Sequence, residues 1–341
     1  MEFIRVEDCC EILDSQRKPV TESERVAGIY PYYGANGLQG TINQYIFDDK
    51  LVLVAEDGGH FGSNTKPIAY LVNGKCWVNN HAHVLRAKKG FLAEYICYSL
   101  MFYKVEGYIN GATRQKLTQA ALRKLVIPKK SVEYQKVIVD RLDLVKCIIE
   151  KKRNIINELD LLIKSRFVEM FGNPIINDKK YPVFKLKDIS QKIGSGVTPR
   201  GGDSNYIDKG VAFIRSMNVY NNTFKKENLV YIDESLAKQL CQVELFSNDL
   251  LLNITGASVA RCCTVPDDIL PARVNQHVCI IRQCRISNVF LEYCLTNESY
   301  QEYLLLLSNK NGATREALTK IQVENLEVIF PPLIEIARFV K

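Results

Sequence analysis

Asn110–Arg114 reads NGATR, and so does Asn311–Arg315, 201 residues further along. Each copy leads into a leucine, a threonine and an apolar run that ends in proline. A chance repeat would leave the surroundings unrelated, whereas a duplication repeats them in the same order. The order is kept. IRVEDCCEIL from Ile4 corresponds to FKLKDISQKI from Phe184, sharing Asp8 and Asp188. LVLVAEDG (Leu51–Gly58) matches DLLLNITG (Asp249–Gly256), an apolar strand-like run closed by glycine. VNNHAHVLR from Val78 matches VNQHVCIIR from Val274, with Asn79/Asn275, His81/His277 and Arg86/Arg282 in register, and FLAEY from Phe91 pairs with FLEY from Phe290. The period is far longer than that of a solenoid, so the copies are two whole domains.

The stretch between the copies, residues 131–171, contains no glycine or proline. Leu142, Ile149, Ile156, Ile163 and Met170 recur every seventh residue, and Ile138, Val145 and Leu159 supply the second seam, interrupted by Lys152 and Arg166. This spacing predicts a helix with a coiled-coil stripe, on the order of 60 Å long at 1.5 Å per residue. Pro128 precedes it and Gly172, Asn173 and Pro174 follow it. A stripe of that length must pack on something, either its own globular domain or an equivalent helix after the second copy. That second helix would begin after Pro331 and Pro332, but the sequence given ends at LIEIARFVK. Either the product is truncated or split, or another subunit completes the coiled coil; an uncovered seam would also favour self-association.

The expected fold is therefore α+β: two repeated α/β domains over 1–130 and 172–331, joined by a long coiled-coil-type helix over 131–171. Residues 332–341 would be the start of a second such helix, truncated at the C-terminus.

Composition fits this picture. An apolar content of 47% with 24% charged residues is ordinary for globular protein. No apolar run approaches the roughly 18 residues of a membrane helix, and the start MEFIRVEDCC lacks a signal-peptide layout, so a cytoplasmic location is expected. Eleven cysteines without C-x-x-C spacing indicate neither a disulfide framework nor a zinc site. The net charge of +7 divides as +4, +1 and +2 over residues 1–130, 131–171 and 172–341. That excess permits a polyanionic partner without requiring one.

A duplicated α/β domain, an NGATR turn, an apolar strand running into proline and then a long helix together resemble the specificity subunit of a Type I restriction-modification system. YYGANGLQGTINQYIFDDKLVLVAEDGG (Tyr32–Gly59) is similar to one common class of target-recognition domain, and IGSGVTPRGGDSNYIDKGVAFIRSMNV (Ile193–Val219) to another. The resemblance implies two domains, each reading half of a bipartite duplex DNA site. It also implies antiparallel helices that separate them and dock methyltransferase subunits. The chain itself would carry no cofactor; the complex would use S-adenosylmethionine, and ATP with magnesium in a restriction and translocase subunit. The sequence departs from the family in having Ile336 where a glutamine usually follows P-P-L-x-E, and in its nearly absent distal helix.

Domains that read different half-sites must differ where they touch bases, so residues common to both suit scaffold or phosphate contact. Gly111 and Gly312 suit a turn with positive φ, and Thr319 with Gln322 resembles a capping box. Arg114 and Arg315 would hold either a phosphate or an internal carboxylate. Asn79/Asn275 and His81/His277 read as backbone-satisfying framework residues. His81 and His83 imply no metal.

Specificity is expected in the divergent loops. In the first domain these carry Tyr32, Tyr33, Asn36, Gln39, His60, Ser63, Asn64 and Lys66; in the second, Thr198, Arg200, Asn205, Arg215, Asn218, Thr255, Ser258 and Arg261. Arginine can grip guanine O6 and N7, and asparagine or glutamine adenine N6 and N7. The plain alternative for each is a solvated polar loop.

Two other functions compete. A nucleic-acid enzyme lacks its motifs: GSGVTPRGG has no G-K-[ST] ending, and Asn173-Pro174-Ile175-Ile176 lacks the aromatic of an amino-methyltransferase. Asp48, Asp49, Glu56 and Asp57 form no metal-nuclease pattern. A non-catalytic scaffold in a defence complex is the other reading, and sequence-selective duplex binding would separate it from a reader.

Overall fold

The computed structural model describes residues 2–111, 115–282, 285–309 and 316–341. Arg114 and Arg315 lie outside them. The chain forms two compact units, Met1–Arg153 and Asn154–Lys341. The fold is the expected α+β arrangement of two repeated domains and a long helix.

In unit 1 the chain runs β1 (Phe3–Arg5), α1 (Val6–Cys9), β2 (Cys10–Ile12), β3 (Tyr30–Gly34), β4 (Gly37–Ile42), β5 (Phe47–Ala55), β6 (Ala69–Val78), β7 (Ala82–Ala87) and α2 (Ala93–Leu100). It continues through β8 (Ile109–Asn110), β9 (Lys116–Leu117), α3 (Gln119–Lys124) and β10 (Val126–Pro128) into α4 (Val132–Phe171). Six strands form one sheet in the order β2-β7-β5-β6-β3-β4, and β1 pairs antiparallel with β10. The Leu51–Ala55 part of β5 and the Ala82–Leu85 part of β7 are buried on both faces: Val52, Val54 and Leu85 enter a core with α2, while Leu51, Leu53 and Val84 enter a second core.

Unit 2 repeats the plan with β11 (Val183–Lys185), α5 (Leu186–Ile189), β12 (Lys192–Ser195), β13 (Val211–Ile214), β14 (Val219–Tyr220), β15 (Thr223–Phe224), β16 (Val230–Ile232) and α6 (Glu234–Gln239). Then come β17 (Leu250–Asn253), β18 (Cys262–Thr264), β19 (Ala272–Val274), β20 (Val278–Arg282), α7 (Asn288–Leu295), α8 (Glu298–Asn309), α9 (Lys320–Glu324), β21 (Glu327–Ile329) and α10 (Leu333–Val340). The register of the ladders proves the equivalence residue by residue. Val54 faces His83 as Leu252 faces Cys279, and Val52 faces Leu85 as Leu250 faces Ile281. β1 pairs with β10 as β11 pairs with β21. One difference divides the sheet. β6 is long enough to pair with β5 and then, parallel, with β3; unit 2 splits these roles between β18 beside β17 and β19 parallel to β13. Sheets of four and three strands replace the single sheet of six.

Helix α4 starts where Ser131 Oγ accepts from Tyr134 N (3.3 Å) and stops at Gly172, whose φ of +71° closes the last turn through its N–H to Val168 O (2.8 Å). That left-handed φ favours glycine, and a Cβ there would also meet Asp178 Oδ1 at 2.1 Å. The helix is held at its ends. Ile138 and Val139 pack into the unit 1 core, while Phe167, Met170 and Phe171 pack into that of unit 2, where Phe339 of α10 meets both phenylalanines at 5.6 Å. Every residue from 140 to 166 is exposed, including Leu142, Val145, Ile149, Ile156, Leu159 and Ile163 of the apolar stripe. Among the described residues no helix is long and apolar enough to cross a membrane.

Candidate nucleic-acid interface

The divergent loops and the segments leaving the two NGATR stretches meet at the same strand ends in each unit. In unit 1, Leu117 N donates to Glu56 O (2.8 Å) and Glu56 N to His81 O (2.9 Å); in unit 2, Leu318 N donates to Ile254 O (2.8 Å) and Ile254 N to His277 O (3.0 Å). The framework reading of the shared polar pair fits this geometry. Asn79 Oδ1 accepts from His81 N at 2.8 Å and Asn275 Oδ1 from His277 N at 3.1 Å, the same local turn twice. Each histidine then meets the residue at one equivalent position: His81 Nδ1 lies 2.8 Å from Asp57 Oδ1, and His277 Nδ1 lies 2.5 Å from Thr255 Oγ1.

On this frame unit 1 gathers Asn36 and Gln39. Asn36 Nδ2, at the β3–β4 tip, donates to Gly58 O (2.9 Å), and Gln39 Oε1 accepts from Asn79 Nδ2 (3.0 Å). The next loop carries His60, Ser63, Asn64 and Lys66; Ser63 Oγ accepts from Lys66 N (2.9 Å), leaving the Asn64 and Lys66 side chains exposed. Tyr33 is half-buried, and burial raises its hydroxyl pKa. Tyr32 is different. It is buried, its hydroxyl donates to Val20 O (3.0 Å), and the Arg25 guanidinium covers its ring at 3.9 Å, so it holds the framework.

In unit 2, Thr255, Ser258 and Arg261 come together around a cavity of about 650 Å³ with Met217, Tyr220 and His277. Thr198 is half-buried, and Arg200 and Asn205 belong to a separate turn in which Asn205 Nδ2 donates to Arg200 O (2.8 Å). Arg215 donates to Asn228 O (2.7 Å) and stands 5.4 Å from the Tyr206 ring. Asn218 is fully buried, its Oδ1 accepting from Arg215 N (3.0 Å) and its Nδ2 donating to Lys225 O (3.0 Å). Like Tyr32, it is a framework residue. Sequence reasoning missed Met217 and Tyr220; the aromatic and basic residues interleaved over Tyr220–Lys225 were the available signal.

Beneath the unit 1 surface lies a polar cluster. His83 is buried with Nδ1 2.6 Å from Asp14 Oδ2 and Nε2 2.7 Å from Leu117 O, while Arg17 reaches Glu56 at 2.6 Å and Lys116 reaches it at 3.0 Å. Asp14, Glu56 and His83 bring ligand-type atoms within 4.8 Å of one another. The donor set does not suit a metal ion. A backbone carbonyl can only accept, so His83 Nε2 carries a proton, and Nδ1 is committed to Asp14. The two carboxylates are already matched by Arg17 and Lys116. Burial pushes the Asp14 pKa up, but the hydrogen bond and charge of His83, with Val84 N–H and Gln119, hold it below the usual value. Burial likewise opposes ionisation of Glu56, and Arg17 and Lys116 outweigh it.

Comparison with known proteins adds likenesses in sequence and fold. Residues 1–161 match the family model of the Type I restriction modification DNA specificity domain. A Haemophilus influenzae protein named as a type I restriction enzyme specificity subunit is 28% identical over 75% of this chain and 66% of its own length. A Mycoplasma pneumoniae protein named as a type I specificity subunit is 24% identical over 55% of this chain and 52% of its own. The chain thus spans less than two thirds of the length of either relative. In fold it is similar to the crystal structure of a Type-I restriction-modification system S subunit from M. genitalium, with a TM-score of 0.57 at 11% identity, covering 99% of this chain and 88% of that one. The first repeat is thus similar to the Type I restriction modification DNA specificity domain, and the chain is similar in sequence to proteins named as type I specificity subunits and in fold to a solved S subunit.

Proposed function

We propose that this chain reads a bipartite duplex target for a Type I restriction-modification complex, one half-site per repeat, and catalyses no reaction itself. The carrying observation is that both repeats fix their strand-end loops with the same backbone bonds and the same Asn-His turn, yet offer different side chains there. Shared framework with divergent tips is what two readers of different sequences need. The proposed contacts are Tyr33, Asn36, Gln39, His60, Ser63, Asn64 and Lys66 on the first repeat. On the second they are Thr198, Arg200, Asn205, Arg215, Thr255, Ser258 and Arg261.

We assign the recognition domains to 1–130 and 172–331, the spacer to 131–171, and the start of a distal helix to 332–341. The exposed stripe from Leu142 to Ile163 is the surface for a partner helix and for methyltransferase subunits, since so long an apolar seam is not left bare in water. S-adenosylmethionine belongs to those subunits, and ATP with magnesium to the restriction subunit.

The test is selection of duplexes from a library with randomised half-sites and variable spacers, using the chain assembled with its methyltransferase subunits. Two short motifs separated by a fixed non-specific spacer are expected. Binding without sequence preference would support the scaffold reading instead, and turnover by the chain alone would support an enzyme.

A further inference from the structure

We infer that the crevice lined by Tyr220, Arg261, His277 and Glu316 takes the major-groove edge of one G·C pair, with Arg261 gripping the guanine. This rests on the half-site reading above and names one of its contacts. Separate loops converge to build the crevice: Ser216–Tyr220, Thr255–Ser258, Arg261, His277 and the Glu316–Ala317 segment.

Arg261 is aimed by a strained turn. Ala260 before it is buried at φ +72°, a left-handed conformation that L-residues rarely adopt. The turn is locked by Ala260 N to Asn253 O (2.9 Å) and Asn253 N to Arg261 O (2.8 Å). It sets the Arg261 guanidinium 4.4 Å from the Tyr220 ring, and Lys225 Nζ lies 3.8 Å from the same ring. Two cations thus share one aromatic, and among the described residues neither has a carboxylate within ion-pair distance. Such a pair is left short of negative or electron-rich partners.

The lining decides between a phosphate and a base. Glu316 is exposed at the crevice, and its carboxylate would repel a phosphate. A G·C edge suits both charges: guanine O6 and N7 accept from a guanidinium, and cytosine N4 donates to a carboxylate. A guanidinium held by an aromatic keeps its planar fork ordered before binding, which a flexible lysine does not.

The experiment repeats the duplex selection, with the chain in its methyltransferase complex and both half-sites randomised. Arg261→Ala and Arg261→Lys should each lose preference for guanine at a single position of one half-site, roughly tenfold or more, leaving the other half-site intact. Tyr220→Leu should weaken the same preference and Tyr220→Phe keep it, while Glu316→Gln should affect the same base pair. Equal weakening on all sequences by Arg261→Ala, with the salt dependence reduced by about one charge, would show a phosphate contact and overturn the proposal. An unchanged profile would overturn it as well. A parental complex that selects only one half-site would instead overturn the two-reader function, and this inference with it.

Discussion

Glu56 and His83 in the first repeat stand where the second has Ile254 and Cys279. The backbone bonds above them are the same: the leucine leaving each NGATR stretch, Leu117 or Leu318, donates to residue 56 or 254. What differs is the filling. The first repeat packs an ion-pair cluster of Asp14, Arg17, Glu56, His83 and Lys116 under that joint, and the second packs apolar side chains. The joint is therefore specified by backbone pairing and by filled volume, because a buried ionic cluster and an apolar one of like size can be equally stable. They fail differently, however. An apolar filling tolerates small changes, while an ionic one punishes the loss of any single member.

The largest effect should follow from removing Asp14. Asp14→Ala leaves His83, Val84 N–H and Gln119 without their acceptor in the interior, at a cost of about 3–5 kcal/mol. Combining Asp14→Ser with His83→Cys, after the ladder pair Ser195 and Cys279 of the second repeat, should cost less than the two single changes added together. Denaturant unfolding with hydrogen exchange of β5 and β7 reads both. A loss below about 1 kcal/mol for Asp14→Ala would mean that the cluster is ornamental.

A second contrast compares equivalent arginines, each paired with an aspartate, at two depths. Arg86 and Arg282 occupy the same register, paired with Asp49 at 2.5 Å and Asp249 at 2.7 Å. The side chains are 40% and 38% exposed in the first pair but 12% and 1% in the second. Asp249→Ala should accordingly cost about 3 kcal/mol, and Asp49→Ala less than about 1 kcal/mol. Equal losses would show that burial does not govern these pairs. Gln135→Ile is the next test, replacing the amide with the residue of the second repeat, Ile336. Gln135 is buried, accepts from Leu92 N (2.9 Å) and donates to Gly90 O (3.0 Å) and Lys130 O (2.9 Å). Its loss should cost about 1–3 kcal/mol in thermal unfolding, and a neutral result would mean that water reaches those groups.

The repeat, the framework role of Asn79 and Asn275, and the stripe on α4 were legible because each is a local or periodic pattern. The helix and its apolar stripe follow from the heptads, but the anchoring of its end by Phe167 and Phe171 does not, since that depends on Phe290 and Phe339 arriving from elsewhere. Tyr32 shows what alternation could have told. It neighbours Tyr33 on β3, so one of the two had to face inward, and the burial pattern puts Tyr32 there. Asn218 was hidden for another reason: its bonds to Lys225 O and Arg215 N belong to a turn with no simple signature. The Asp14–His83 contact joins residues 69 apart, and no spacing rule connects them. The Tyr220–Arg261 stack likewise needed the three-dimensional approach of two hairpins.

The smallest predicted effect is the most discriminating, because its sign differs between the repeats. Asp14 and Glu56 have pKa values held below their usual range, so their stabilisation is present above about pH 4 and drains away as pH falls through the folded values. In the second repeat Glu292 is displaced the other way. Burial raises its pKa even though Thr264 N, Thr264 Oγ1 and Asn222 Nδ2 all donate to it. A raised carboxyl binds its proton more readily folded than unfolded, so its penalty is greatest at neutral pH. That penalty is relieved as pH falls from the folded value toward the ordinary 4.5. Each proton contributes a slope of at most about 1.4 kcal/mol per pH unit within its window. Hydrogen exchange corrected for intrinsic rates, followed from pH 7 downward, should show the α7–β18 region gaining protection before the β5–β7 region loses it. Glu292→Gln should abolish the gain and leave the later loss in place. If both regions weaken together in the parental protein and Glu292→Gln changes nothing, the Glu292 carboxyl is ionised at no cost and the two repeats do not differ in this respect.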